Sequence, residues 1–322
     1  MKKIMTFLTI ILLSSLVAQA SDLTIKSDKQ SFNVEENLGK FEGNVKVQLE
    51  DITVESPYAE ITINKEAGAL DEATFFNNPY VYQIKDGKKN EIKSNILKVS
   101  LLKKVITASG NVITTATTDK KPTAIITSDE QEFDTKTNIM TATGNTIIEY
   151  DDTKTYSDKA IAKINSKNEL EKMDLIGNAK ITQGDKNTLI ADRFSYTTAD
   201  EIAISQGNAY TDLTSENGDR IQVWSNYQQY DKKNNIIIAS GNVRVHYKDY
   251  VAVGPKATVY PDKTTKQLNQ VIFTGRSKIT EQGRSIEANK IIMYMNPKDF
   301  YAEGDVLTSI RNVKEMNNKK GK

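Results

Sequence analysis

A glycine-asparagine step that recurs at nearly constant spacing constrains this chain more than any other feature. Two variants, Gly275-Arg276 and Gly304-Asp305, continue the series, and Asn77-Asn78 lies at the middle of its one double-length gap. With that pair included, successive steps are separated by about 33 residues on average. This period predicts a repeat protein whose units bury their apolar faces by stacking on one another. We call each step a corner; the Gly-Asn corners begin at Gly43, Gly110, Gly144, Gly177, Gly207 and Gly241.

Apolar and polar residues alternate on both sides of each corner. After the corner at position 241, for example, Val243 and Val245 flank Arg244. A period of two is typical of β-strands with one buried and one solvent-exposed face. The corner at position 207 departs from this rule, because Ile202 and Ile204 lie five and three positions before it. We therefore expect a register slip or a bulge there.

A second series of small or turn-forming pairs, such as Ser56-Pro57 and Ser128-Asp129, lies roughly midway between successive corners. These residue types favour bends. No segment after Ala20 shows a helical period. The sequence therefore predicts an all-β fold of about 30 short strands, arranged as two facing antiparallel sheets with unpaired strand edges at both ends.

The N-terminal segment from Met1 to Ala20 has the pattern of a secretory signal peptide. Lys2 and Lys3 precede an apolar run, and Ala18-Gln19-Ala20 resembles a cleavage site. The run is short for a membrane span of about 20 residues, so we expect cleavage, with an uncleaved anchor as the alternative. We predict an N-terminal half over residues 21–160, a C-terminal half over 161–311 and a disordered tail over 312–322.

Composition excludes several kinds of function. The 43 basic residues balance 42 acidic ones, so no charge excess favours nucleic-acid binding. The absence of cysteine and the presence of one histidine exclude thiol catalysis and the usual zinc sites. Alternation places that residue, His246, beside Arg244 on a solvent-exposed face. We expect no catalytic residue, no metal and no cofactor.

The residues at inward positions bear on whether the two sheets pack shut or leave a groove. Aromatic residues make up 7% of the chain, and the patch of Trp224, Tyr227 and Tyr230 is predicted to belong to the core. Large core side chains are therefore scarce, which favours an open apolar groove over a closed sandwich. Small or hydroxylated residues occupy the inward positions Thr114, Thr146, Ala179, Ala209, Thr211, Ser277 and Thr308.

The repeats FEGNVKV at residues 41–47 and ASGNVRV at residues 239–245 resemble those of the periplasmic lipopolysaccharide-transport proteins of the LptA/OstA type. The resemblance extends over residues 22–310. It implies an OstA-like β-jellyroll, folded like a taco, that holds lipopolysaccharide acyl chains in its apolar interior and is not an enzyme. It also implies end-to-end strand contacts with related jellyroll components at the inner and outer membranes, and self-association. The signal pattern is closest to the soluble periplasmic members of this family.

The resemblance implies two sets of binding residues. The acyl chains are expected to contact Val45, Val47, Ile106, Val112, Met140, Ile148, Leu175, Ile181, Val243, Val245, Val271 and Phe273. Lys46, Lys180, Arg244 and Lys278 all lie three positions after a corner and should share one outer face. They form either an ordinary solvated sheet surface, which is the preferred interpretation, or a basic rim for the anionic head group. Two other functions stay open: an exported polysaccharide-processing β-helix enzyme and a structural repeat protein.

Overall fold

The computed structural model describes residues 23–64, 69–85, 88–118, 121–165, 169–214, 218–262, 268–295 and 298–311. The predicted signal peptide and the predicted tail over 312–322 lie outside these ranges. All the pairings given for the described strands are antiparallel, so the predicted fold class is confirmed. The strands are β1 (Leu23–Lys26), β2 (Lys29–Asn33), β3 (Leu38–Leu49), β4 (Ile52–Asn64), β5 (Ala69–Phe76), β6 (Tyr80–Lys85), β7 (Lys88–Lys93), β8 (Ile96–Ser100), β9 (Val105–Thr118), β10 (Lys121–Asp134), β11 (Ile139–Tyr150), β12 (Thr153–Ile164), β13 (Leu170–Gln183), β14 (Asn187–Thr197), β15 (Ile202–Thr214), β16 (Arg220–Asp231), β17 (Ile236–Tyr247), β18 (Tyr250–Pro261), β19 (Leu268–Glu281), β20 (Arg284–Met295), β21 (Lys298–Glu303) and β22 (Leu307–Ile310).

Fourteen of the 22 described strands continue through a bend, seven through a corner and seven through the second bend between corners, which makes them longer than predicted. Strand β11 has 12 residues and contains the corner at Gly144 and Asn145, where φ is 79° and 45°. Its register with β12 shifts between Thr143 and Thr146. This bulge turns the strand without ending it. The described residues accordingly hold 22 strands, against the prediction of about 30.

All nine predicted corners have left-handed backbone conformations. Both corner residues have positive φ at eight of them, and at the ninth only Gly275 does. Arg276 follows that glycine and pairs with Glu287 and Asp305 instead. The bulge predicted at position 207 is present, but Ser205 is buried there as its counterparts are in other repeats, so the register has not slipped.

The described residues form two compact units, one up to Gly177 and one from Asn178 onward. In unit 1, the first part of β4 pairs with β6 and its second part with β5. Strand β9 likewise pairs with β8 before its corner and with β7 after it. The corners therefore divide the strands of unit 1 between two layers. The division predicted between residues 160 and 161 differs from this boundary and stays a prediction.

In unit 2, strands β14 to β20 pair in chain order as antiparallel neighbours. One buried cluster contains Ala239 and Phe273, which precede corners, together with Val243 and Ile279, which follow them. Residues from both sides of the corners thus pack on one another, as the alternation predicts. The arrangement gives unit 2 an apolar interior between two layers.

The first and last strands leave sheet edges. Strands β1 and β2 pair with different halves of β3, and β22 and β21 pair with different halves of β20. Among the described residues, eight large apolar side chains are at least half exposed, and six of these lie in or beside the edge strands. The six are Phe32, Val34, Tyr301, Val306, Leu307 and Ile310.

Candidate functional site

The interior residues proposed from the sequence lie almost entirely out of solvent. Ten of the twelve predicted acyl-chain contacts are buried, while Ile181 and Val245 are half-buried on the same inward register. Alternation explains this, because every second residue of a strand points to the same face. The small or hydroxylated inward positions are buried as well, except Thr308 in β22, which is exposed. Lipid contact at these residues stays a prediction.

Unit 1 contains two small cavities in this interior. The first has a volume of about 30 Å³ and brings together the predicted residues Ile106 and Met140 with residues from both layers. The second has a volume of about 10 Å³ and is lined by Met140 and Ile148. The first can hold one or two water molecules. The interior of unit 1 is therefore narrower than the open groove predicted from the sequence. The first cavity is also lined by Val81, Asn90, Ile92, Ala108, Thr114, Gln131, Glu132 and Phe133.

Buried threonine-glutamine pairs link the two layers inside each unit. In unit 1, Thr114 Oγ1 donates to Gln131 Oε1 at 2.6 Å, and Gln131 Nε2 donates to the Ile126 carbonyl. In unit 2, Thr211 and Gln228 make the same hydroxyl-to-amide bond. These glutamines were not among the residues predicted from the sequence. The signal that identifies them is the shared separation of 17 residues between threonine and glutamine at matching repeat positions.

The predicted basic rim residues lie on outward registers, as alternation requires. Lys46 is half-buried, and Lys180, Arg244 and Lys278 are exposed. Lys46 Nζ lies 2.9 Å from Glu55 Oε1, and this hydrogen bond raises the pKa of the lysine. Arg244 Nε donates to His246 Nε2 at 2.8 Å. At least these two cations therefore already have partners on the outer face.

Only part of the aromatic patch predicted as core lies on the inner face, where Tyr230 shares the register of buried Gln228. Trp224 is half-buried on the outer face of unit 2, between Tyr210 and His246, with ring centroids 5.0 and 4.9 Å away. Tyr227 and Tyr230 are also only half-buried. The prediction was wrong for Trp224 because Val223 has the inward register instead and packs on the core of unit 2. His246 shares the outer face with Arg244 as predicted, but its contact with Trp224 leaves it only half exposed.

On the outer face of unit 2, the carboxylate of Asp212 accepts hydrogen bonds from three neighbouring side chains. Arg220 donates to both oxygens of Asp212, at 2.9 and 2.5 Å, and Tyr210 and Gln222 donate to Asp212 Oδ2. The Arg220 bonds are the main cause that lowers the pKa of Asp212 from 3.8 to about 2.

We expect this carboxylate to make unit 2 acid-sensitive between about pH 4 and pH 2. The folded pKa is depressed, so the stabilisation is complete above the unfolded value and is lost as the pH falls through the folded value. Replacing Asp212 by Asn should lower the unfolding free energy by about 1 kcal/mol at pH 7, since Arg220 is largely exposed and solvent screens the pair. Urea unfolding from pH 7 to pH 2 checks this. If the difference in unfolding free energy between wild type and Asp212→Asn does not narrow below pH 4, the expectation is contradicted.

Two further features concern only the described ranges. They contain no group of three or more His, Cys, Asp or Glu residues placed to hold a metal ion. In that same part of the chain, no helix has the length and apolar character needed to cross a membrane.

Comparisons with known proteins found a family match for part of the chain. Residues 125–224 match the family described as LptA/(LptD N-terminal domain) LPS transport protein. A search of curated proteins found no match. Among solved structures, the crystal structure of LptH, the LptA homologous periplasmic component of the conserved lipopolysaccharide transport device from Pseudomonas aeruginosa, is similar over 38% of this chain and 83% of that chain, at 10% identity and a TM-score of 0.34. The matched family is one of transport, not of catalysis. Residues 125–224 of this chain are therefore similar to the LptA/(LptD N-terminal domain) family of lipopolysaccharide-transport proteins.

Proposed function

We propose that this protein is a periplasmic carrier that binds the acyl chains of lipopolysaccharide, or of a related glycolipid, between its two layers. The observation that carries the proposal is the buried apolar face that recurs in every repeat of a domain matching a lipopolysaccharide-transport family. Burial of each methylene group of an acyl chain contributes about 0.8 kcal/mol. The signal pattern between Met1 and Ala20 supports export to the periplasm.

The edge strands support a bridging role. Among the described strands, β1 pairs only with β3 and β22 only with β20, and exposed apolar side chains lie in or beside the edge strands. Such edges accept further strands from another chain. We infer that they join this protein to related jellyroll components, or to further copies of itself, so that a lipid can pass from the inner to the outer membrane. In this arrangement the outward lysines and arginines lie close to the anionic head group.

A structural repeat protein is the second candidate, and the small volumes of the cavities in unit 1 favour it. A permanently filled interior would hold no acyl chain. The carrier therefore requires the interior to widen when lipid enters. Met140 lines both cavities, and its unbranched side chain can adopt several shapes at low cost. Movement of this side chain would join the two spaces.

Photocrosslinking at adjacent inward and outward residues tests the carrier. A photoreactive residue at Ile181 or Val245 should form a lipopolysaccharide adduct in an exporting Gram-negative host. These inward positions are half-buried and tolerate a larger side chain better than fully buried ones. Lys180 and Arg244 are the matched controls, because each precedes a test position and points to the opposite face. We expect at least tenfold more adduct at the inward member of each pair.

The same experiment separates the two candidates. Adducts of equal strength at inward and outward positions would indicate surface association and contradict a lipid-holding interior. Folded, exported protein that gives no adduct at either inward position would favour the structural repeat protein.

A further inference from the structure

Among the described residues of unit 1, four buried side chains each have a polar atom without a hydrogen-bond partner. Asn90 lines the first cavity, and its Oδ1 atom is unpartnered. Thr146, Thr155 and Ser157 lie on β11 and β12, and their hydroxyl oxygens are likewise unpartnered. Each of the four residues is at least 94% buried. A buried polar group without a partner destabilises the folded state, so these positions need an explanation.

The three hydroxyl residues form one patch, which we call the hydroxyl cluster (Thr146, Thr155 and Ser157). Thr146 lies directly opposite Ser157 in the ladder, and Thr155 lies opposite Ile148. Directly opposed side chains share a face of the sheet. Ile148 lines the second cavity, so the hydroxyl cluster lies on the inner face beside that space.

The other repeats provide an internal comparison for Thr155. The equivalent position, two residues before the second bend, is apolar in all seven other repeats: Val54, Ile92, Ile126, Leu189, Val223, Ala252 and Ile286. A threonine at this position therefore departs from the apolar pattern that the fold uses elsewhere. The fold itself does not require its hydroxyl group.

Ser157 departs from its counterparts in a different way. Ser56, Ser94, Ser128 and Ser225 occupy the same bend, and each donates to the carbonyl two residues later at 2.8 to 3.0 Å. The hydroxyl of Ser157 makes no such bond. The serine hydroxyl thus donates a hydrogen bond to a nearby carbonyl in four repeats. It lacks this bond in the repeat that also contains Thr146 and Thr155.

We propose that the interior of unit 1 selects an acyl chain that carries a hydroxyl group. This inference rests on the proposed function, and it names the feature of the lipid that unit 1 recognises. A plain alkyl chain has no donor for Asn90 Oδ1 and no partner for the hydroxyl cluster. A hydroxyl group on the chain both donates and accepts, so it satisfies either site while the methylene groups contact Ile106, Met140 and Ile148.

Binding of two fatty acids to the full exported chain tests this selection. We use 3-hydroxytetradecanoate and tetradecanoate as competitors of a fluorescent fatty acid. Wild type should bind the hydroxylated acid about fivefold more tightly, the value expected for one additional hydrogen bond. Thr155→Val and Asn90→Leu should each lower this ratio toward one. The control is Thr211→Val in unit 2, whose hydroxyl already has Gln228 as a partner; it should leave the ratio unchanged.

Thermal unfolding of the same variants gives a second readout. Thr155→Val should leave the melting temperature of the lipid-free protein unchanged or raise it, because it removes an unpartnered hydroxyl without a large change in shape. A clear fall would show that the hydroxyl serves the fold, and it would overturn the proposal. If Asn90→Leu does not fold, Thr155→Val decides alone.

The outcomes distinguish this inference from the proposed function. Equal binding of both acids by wild type, or a full preference retained by Thr155→Val, overturns the selection for a hydroxyl group and leaves the carrier intact. Failure of both acids to bind removes the carrier and the selection together.

Discussion

Replacement of Gly207 by Ala should destabilise unit 2 by about 3 kcal/mol. Gly207 has φ +73°, where an L side chain costs roughly 1–2 kcal/mol. A Cβ atom added there would lie 2.8 Å from Cγ and 2.9 Å from Cβ of Asp192. Asp192 would have to move, and it accepts a hydrogen bond from Asn208 Nδ2 at 3.1 Å. Loss of that bond adds about 1 kcal/mol.

Gly184→Ala is the matched control in the same unit. Gly184 also has positive φ, +53°, but a Cβ there would meet nothing within 4 Å. We expect it to cost only about 1 kcal/mol, the backbone part of the effect. Urea unfolding can be followed by the emission of Trp224, the only tryptophan of the chain, which lies in unit 2. Equal costs for the two variants would show that the approach to Asp192 does not constrain the corner.

The corner repeat explains why so much of the fold could be predicted from the sequence. The left-handed conformation favours Gly and Asn, so a recurring Gly-Asn pair indicates a corner from residue identity alone. The period of two then assigns inward and outward faces on each side of a corner. The same close packing recurs along the chain, because Asp28, Asn95, Asp129 and Asp158 lie against the glycines of the next corner. Four glycines of unit 1 therefore meet the same steric limit as Gly207.

Other features depend on packing and could not be read from a periodic pattern. Strand length was underestimated because a bulge turns a strand without ending it. The position of Trp224 was wrong because aromatic density was given more weight than the inward register of Val223. The width of the interior depends on how far apart the two layers lie, and alternation carries no information on that distance. Which hydroxyl groups lack a partner depends on individual side-chain contacts, and alternation does not specify those contacts either.

Lysine substitutions at the C-terminal edge should weaken self-association of the protein at least tenfold. Leu307 and Ile310 are half exposed in β22, and β20 is its partner among the described strands. A second copy could pair its β1–β2 edge with this strand, and repeated head-to-tail pairing would extend the assembly. Two lysines would place charges in that contact, where burial without partners is costly. Lysine on an edge strand is also a natural device against such pairing.

Sedimentation velocity over a range of protein concentrations measures this effect. We expect wild type to associate, and Leu307→Lys with Ile310→Lys to weaken association at least tenfold. Leu102→Lys is the matched control, because Leu102 is 57% exposed but lies in the turn between β8 and β9. Its charge should leave association unchanged if the strand edge, and not general surface hydrophobicity, drives assembly. A wild type that stays monomeric at every concentration would restrict the edges to other partners, since identical copies would then fail to pair through them.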